Sequence, residues 1–173
     1  QRYVCCINGS CALDQTMHTQ ALQITQLAHE NCAIILTFAF SQHQLTSLRD
    51  EKFHGEWKFL DKICFEISRS RAERAALELA MHLRLLDDAE DIQGYLSQSR
   101  NLNFGIVCKK DGSSEPLGFR PLTNKILHSS GFNWDFSKPN EPVLICLPTD
   151  GDRWLRAEIN IVAFVALCGQ LMS

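Results

Sequence analysis

A mainly α-helical bundle of four to five helices, with one small β-hairpin before the last helix, is the fold the sequence predicts for this 173-residue chain. Three observations lead there. Residues 12–48 carry apolar side chains at three-and-four spacing with no Gly or Pro among them. Residues 72–90 are rich in Ala, Leu, Glu and Arg, the strongest helix formers. Residues 159–171 are almost wholly apolar, yet fall short of the roughly 20 residues a membrane span needs.

In the first helix, Leu13, Met17, Leu22, Leu27, Ile34, Ile35 and Phe38 mark the apolar stripe, with a break expected near Ser41. Its polar residues are mostly Gln, His and Thr, so this weakly charged helix is expected to be covered, by the core and by a partner. Residues 41–55 form a connection ending at Gly55. A second long helix runs over 56–93, its stripe marked by Trp57, Leu60, Ile63, Cys64 and Ile67, then Leu77, Ala80, Met81, Leu85 and Ile92. The polar interval Ser68–Arg71 is a place for a kink, and Gly94 is the expected stop. Phe104–Cys108 is a short apolar run, Lys109–Pro116 a loop, and Leu117–Ser129 a helix with Pro121 in its first turn, where a missing N–H does no harm. Val143–Leu147 and Trp154–Glu158 flank Asp150-Gly151, a strong hairpin signal. The last helix, Ile159–Leu171, is apolar enough to require burial on most sides.

With 17 Lys and Arg against 20 Asp and Glu, the net charge is −3, and no global positive field exists to hold nucleic acid unaided. The length suits one domain, and 45% apolar with 21% charged residues is ordinary globular usage. The eight cysteines (Cys5, Cys6, Cys11, Cys32, Cys64, Cys108, Cys146 and Cys168) form no CxxC pair of the kind zinc sites use. Four of them, Cys32, Cys64, Cys146 and Cys168, sit among apolar neighbours as small hydrophobes, which suits reduced thiols in a cytoplasm; a disulfide or metal role is the alternative. His18, His29, His43 and His54 lack the i, i+4 spacing of helical zinc ligands. No leader-like apolar run opens the chain, and neither a signal peptide nor a membrane span is expected. Without a Gly-x-Ser-x-Gly elbow or a Gly-rich phosphate loop, hydrolase, kinase and dehydrogenase chemistry find no support and no cofactor or metal is expected.

The string Phe119–His128 carries the main chemical candidate. At about 100° per residue, Arg120, Asn124 and His128 form one polar stripe. Asn124 is placed to hydrogen-bond His128 one turn on, Arg120 to neutralise a phosphate, and His128 to act as acid or base on an RNA phosphodiester. The alternative is a helix whose Asn and His satisfy nearby backbone. A second candidate is a basic face for nucleic acid, made by Arg71 and Arg74 near His82 and Arg84, with Lys125 beside the first stripe; its alternative is a solvated helix face in which Glu78 pairs with Arg74 or His82. Asp87, Asp88, Glu90 and Asp91 lack the spacing of a calcium loop and read as an exposed helix end. Trp134, Phe136 and Trp154 are expected to plug the space between the hairpin and the last helices, with Trp154 against the helix carrying His128; stacking on unpaired bases is the alternative.

The run "RAERAALELAMHLRLLDDAEDI", then "FRPLTNKILHSS", "WDF" and "DGDRWLRAEINIVAF", resembles uncharacterised bacterial helical proteins that are themselves similar to the HEPN superfamily of four- or five-helix bundles. The resemblance covers about residues 56–173. It implies a metal-independent endoribonuclease or RNA-binding protein of a toxin or defence system, dimeric so that the active cleft is shared. His128 matches the family's histidine and Asn124 its polar residue, while Thr123 stands where the family has its arginine and Arg120 lies further off. That departure keeps open a non-catalytic scaffold, which would use the first and last helices to form an oligomer.

Overall fold

The computed structural model describes residues 9–53, 59, 61–99 and 103–171, with the side chains of 9–22 and 97–99 left aside. The expectations for Cys5, Cys6, His54, Gly55, Trp57 and Leu60, and for the side chains of Cys11, Leu13, Met17, His18 and Leu22, lie outside the described residues.

The chain begins with one long helix, α1 (Gly9–Lys52). It runs unbroken through Ser41, whose hydroxyl donates to the Phe38 carbonyl one turn back and leaves the ladder intact. A π-helical segment, Lys62–Ile67, then passes into α2 (Ser68–Glu90), so the geometry changes where the polar interval predicts a kink. Helix α2 stops at Asp91, in the left-handed region at φ 48°, and not at Gly94, which lies within α3 (Ile92–Ser99). An acidic side chain able to bond its own downstream backbone tolerates that conformation, and Asp91 Oδ1 accepts from the Gly94 N–H at 3.1 Å.

The second half corrects the fold class. In place of a mainly α-helical bundle with one hairpin, the protein is α+β: five strands form one antiparallel sheet in the order β2-β1-β5-β4-β3. These are β1 (Gly105–Lys109), β2 (Ser114–Pro116), β3 (Gly131–Asp135), β4 (Val143–Leu147) and β5 (Trp154–Asn160), with α4 (Phe119–Leu127) between β2 and β3 and α5 (Ile161–Leu171) at the end. The predicted β4–β5 hairpin is present, and β5 also pairs with β1, which brings two hairpins into a single sheet.

Cross-strand pairing puts Val107, Leu144, Cys146, Ala157 and Ile159 on one face. They share a core with Ile35 of α1, Leu79 and Leu83 of α2, Leu122 and Ile126 of α4, and Phe164 of α5. On the opposite face Ile106 is exposed. Helix α5 starts without a loop, because Asn160 ends β5 and caps the helix through its Oδ1 and the Ala163 N–H at 2.9 Å. Only part of α5 is covered: Phe164, Leu167 and Cys168 are buried and Val162 is exposed, which corrects the expectation of burial on most sides. Among the described residues no helix is long and apolar enough to cross a membrane.

Two local devices shape the sheet. Between Cys108 and Lys109 the β1–β5 register skips Leu155, an extra residue that rotates its neighbour, leaving Leu155 exposed and turning Trp154 inward to 6% exposure. The edge strand β3 is closed by helix side chains. Arg69 Nη2 donates to the Phe132 carbonyl at 2.6 Å, and His43 Nε2 to the Phe136 carbonyl at 2.8 Å. Phe38 of α1 meets Trp134 and Phe136 edge-on at 5.0 and 5.8 Å, so these two aromatics pack against the first helix, not the last ones as expected.

Gly105 has φ +146°, and a Cβ there would lie 1.9 Å from the Glu158 carbonyl oxygen. Gly105→Ala is therefore expected to cost several kcal/mol, on the order of a strained backbone plus a broken strand pair, or to prevent folding, as read by urea denaturation. Three turn carboxylates are held below their ordinary value of 3.8: Asp111 by the Ser113 hydroxyl and N–H, Asp135 by the Ser137 N–H, and Asp152 by the Thr149 hydroxyl. Because the folded values are the lower ones, these bonds support the fold above the unfolded value and lose that contribution as the pH falls through the folded one. Carboxyl carbon NMR titration is expected to place all three midpoints below 3.8.

Candidate functional site

Helix α4 is strongly two-sided. Phe119, Leu122, Thr123 and Ile126 are buried, while Arg120, Asn124 and His128 face outward as the predicted stripe. What surrounds the stripe differs from the catalytic expectation. Arg120 points back toward the end of α2, with Nη2 3.1 Å from Asp88 Oδ1 and Nη1 3.5 Å from Asp87 Oδ2. Its backbone N–H donates to Gln93 Oε1 at 3.2 Å. Asn124 Oδ1 accepts from Arg84 Nη1 at 3.1 Å, and Arg84 Nε lies 3.6 Å from Asp88 Oδ1. Two guanidinium groups thus meet two carboxylates, and the local charge closes on itself. An incoming phosphate would have to compete with Asp87 and Asp88 for Arg120.

Asp87 is the centre of this junction. Its side chain is 1% exposed, and Oδ1 accepts from the Gln93 N–H at 2.7 Å, which satisfies the first turn of α3. The acidic cluster is therefore not simply an exposed helix end: Asp87 is buried and ties α2, α3 and α4 together. The surrounding exposed pairs contribute little by comparison.

His128 lies eight residues beyond Arg120, about 12 Å further along the helix at 1.5 Å per residue. Its side chain is exposed, and its link to Asn124 is the backbone bond from its N–H at 3.0 Å, not the predicted side-chain contact. Thr123, in the position of the family's arginine, is fully buried with its hydroxyl on the Arg120 carbonyl at 3.1 Å. That position points into the core, and no charged group there could reach a substrate.

Lys125 is also occupied. Its Nζ sits 4.0 Å over the Trp154 ring, so Trp154 does pack against the helix carrying His128. Burial lowers the Lys125 pKa and Asp152 partly offsets it. Beneath, burial pushes the Cys146 thiol up to about 12. Arg71 and Arg74 differ from the other candidates. Both are exposed on α2, have no ion-pair partner among the described residues, and line a surface depression of about 390 Å³ with Glu66, Ile67 and Ser70. Glu78 bonds neither Arg74 nor His82, and His82 Nδ1 is buried without a partner. Among the described residues no group of His, Cys, Asp or Glu is placed to hold a metal ion.

The sequence reading expected a partner on the first helix but missed the apolar surface of the second. Leu27, Ile34 and Leu48 of α1, Ile63 and Ile67 of the π segment, and Leu77, Met81 and Leu85 of α2 are all exposed. Between α1 and the start of α2 lies a groove of about 540 Å³, lined by residues that include Ile34, Phe38, Leu45, Ile63, Cys64 and Arg71. Their spacing merged with the core stripe in the sequence; only their separation from Ala72, Ala76, Leu79 and Leu83 would have revealed a second face. No protein-family model, curated protein or solved structure matches the chain.

Removing the Asp87 carboxylate breaks a helix start and an ion pair together. Asp87→Ala is expected to lower unfolding stability by about 1–3 kcal/mol, and Asn124→Ala by well under that. Urea titrations of the two variants beside wild type check the ranking.

Proposed function

We propose that this chain is a non-catalytic interaction protein that binds another protein chain through the outward side of α1 and α2. One observation carries the reading: a row of large apolar side chains, Ile63, Ile67, Leu77, Met81 and Leu85, lies on the side of the helix away from the core, starting at an open groove beside Ile63 and ending at Met81 and Leu85, which are 52% and 56% exposed. Large apolar side chains exposed along one helix face of a globular protein mark an association site. The engagement of Arg120 by carboxylates and the burial of Thr123 weigh against phosphodiester cleavage. A second reading, RNA binding, is favoured by Arg71 and Arg74, which pair with no carboxylate among the described residues. It calls for RNA retention on a filter that Arg71→Glu with Arg74→Glu abolishes.

Native mass spectrometry of the chain isolated under mild conditions is expected to show a protein complex, and Leu85→Glu to release the free chain. Incubation with mixed RNAs in EDTA is expected to give no product that depends on His128. A partner-free chain, or cleavage lost in His128→Ala, overturns the reading.

A further inference from the structure

We propose that the partner is a second copy of this chain, laid antiparallel along α2; this rests on the interaction reading and names its occupant. The two halves of the contact lie at opposite ends of one helix surface. At the start is the groove between α1 and the π segment, floored by Ile34, Ile63 and Cys64. At the end are Met81 and Leu85, both more than half exposed. A twofold axis across α2 brings the end of each copy onto the start of the other, so each copy's Leu85 comes down on the other's helix start, next to the groove residues Cys64 and Ser68.

The charges point to the same axis independently. Arg74 and Glu78 are four residues apart on one helix, yet the structure joins them neither to each other nor to any other described residue. Arg before Glu is the weaker order for a pair within a helix. Ala76 stands midway between Arg74 and Glu78, and it also stands midway between Ile67 and Leu85. An axis at that level sets Arg74 of each copy against Glu78 of the other, twice, while Ile67 meets Leu85 and Arg71 lies beside Met81. An acidic partner of another kind would pair with Arg74 but leave Glu78 opposed within the same surface; a second copy matches both members of this pair. From Ile67 to Leu85 the helix spans about 27 Å, the length of an ordinary two-helix contact, and Ile34 of α1 widens it.

The experiment is sedimentation velocity on the full chain across a concentration series. Wild type is expected to dimerise. Arg74→Glu and Glu78→Arg each place like charges face to face, and each is expected to weaken the dimer at least tenfold without loss of helical circular dichroism. Mixed in equal amounts, these two variants are expected to pair with each other at close to wild-type affinity, since the mixture restores opposite charges at both contacts. Leu85→Glu is expected to give monomer. A wild-type chain that stays monomeric overturns the proposal, as does a dimer indifferent to the charge swaps or a mixture that fails to recover. A complex with a different protein, found while the chain alone is monomeric, overturns the second copy and leaves the interaction reading standing.

Discussion

The backbone of Glu158 comes so close to Gly105 that no side chain fits between them, and the rest of the fold depends on that approach. It joins β1 to β5, and β5 is where the β1–β2 hairpin and the β3–β4 pair become one sheet. The same strand then runs straight into α5 through Asn160, so sheet and final helix share one rigid segment. Phe104, just before β1, is tied on both sides, its N–H to the Leu117 carbonyl and its carbonyl to the Asn160 N–H. A glycine at the crowded point is the least costly way to bring these backbones together.

Several charged residues of this protein serve as joints. Arg69 closes a strand edge, Arg84 and Arg120 fasten α4 to α2, and Lys125 covers an indole. Each has surrendered the freedom that a binding or catalytic group would need. Arg71 and Arg74 differ from these four: among the described residues no carboxylate pairs with them, and they sit beside the apolar row rather than beside His128.

Much of the fold was legible where elements are long. The first helix, the core of the second, the helix beginning with Pro121 in its first turn and the hairpin around Asp150-Gly151 all stand in the structure. The strands that changed the fold class are three to five residues long. Over so few positions, alternation such as Phe132 and Trp134 against Asn133 and Asp135 is too brief to outweigh the Gly and Ser around it. Ser114–Pro116 has no apolar residue and becomes a strand only through its pairing with β1. At the site, periodicity put Arg120, Asn124 and His128 on one stripe, as they are. It could not show that Asp87 and Arg84, more than thirty residues upstream, would engage two of them.

The guard on the β3 edge has a kinetic side. The bonds that close it join residues 63 and 93 positions apart in the chain, Arg69 to Phe132 and His43 to Phe136. Contacts across such separations form late, since a long stretch of chain must be ordered before they are rewarded. Until α1 and α2 dock, the nascent sheet presents an open row of amide and carbonyl groups beside Trp134, the arrangement most prone to pair with another unfolded chain. Crowded synthesis, more than the finished molecule, is where this protein is vulnerable.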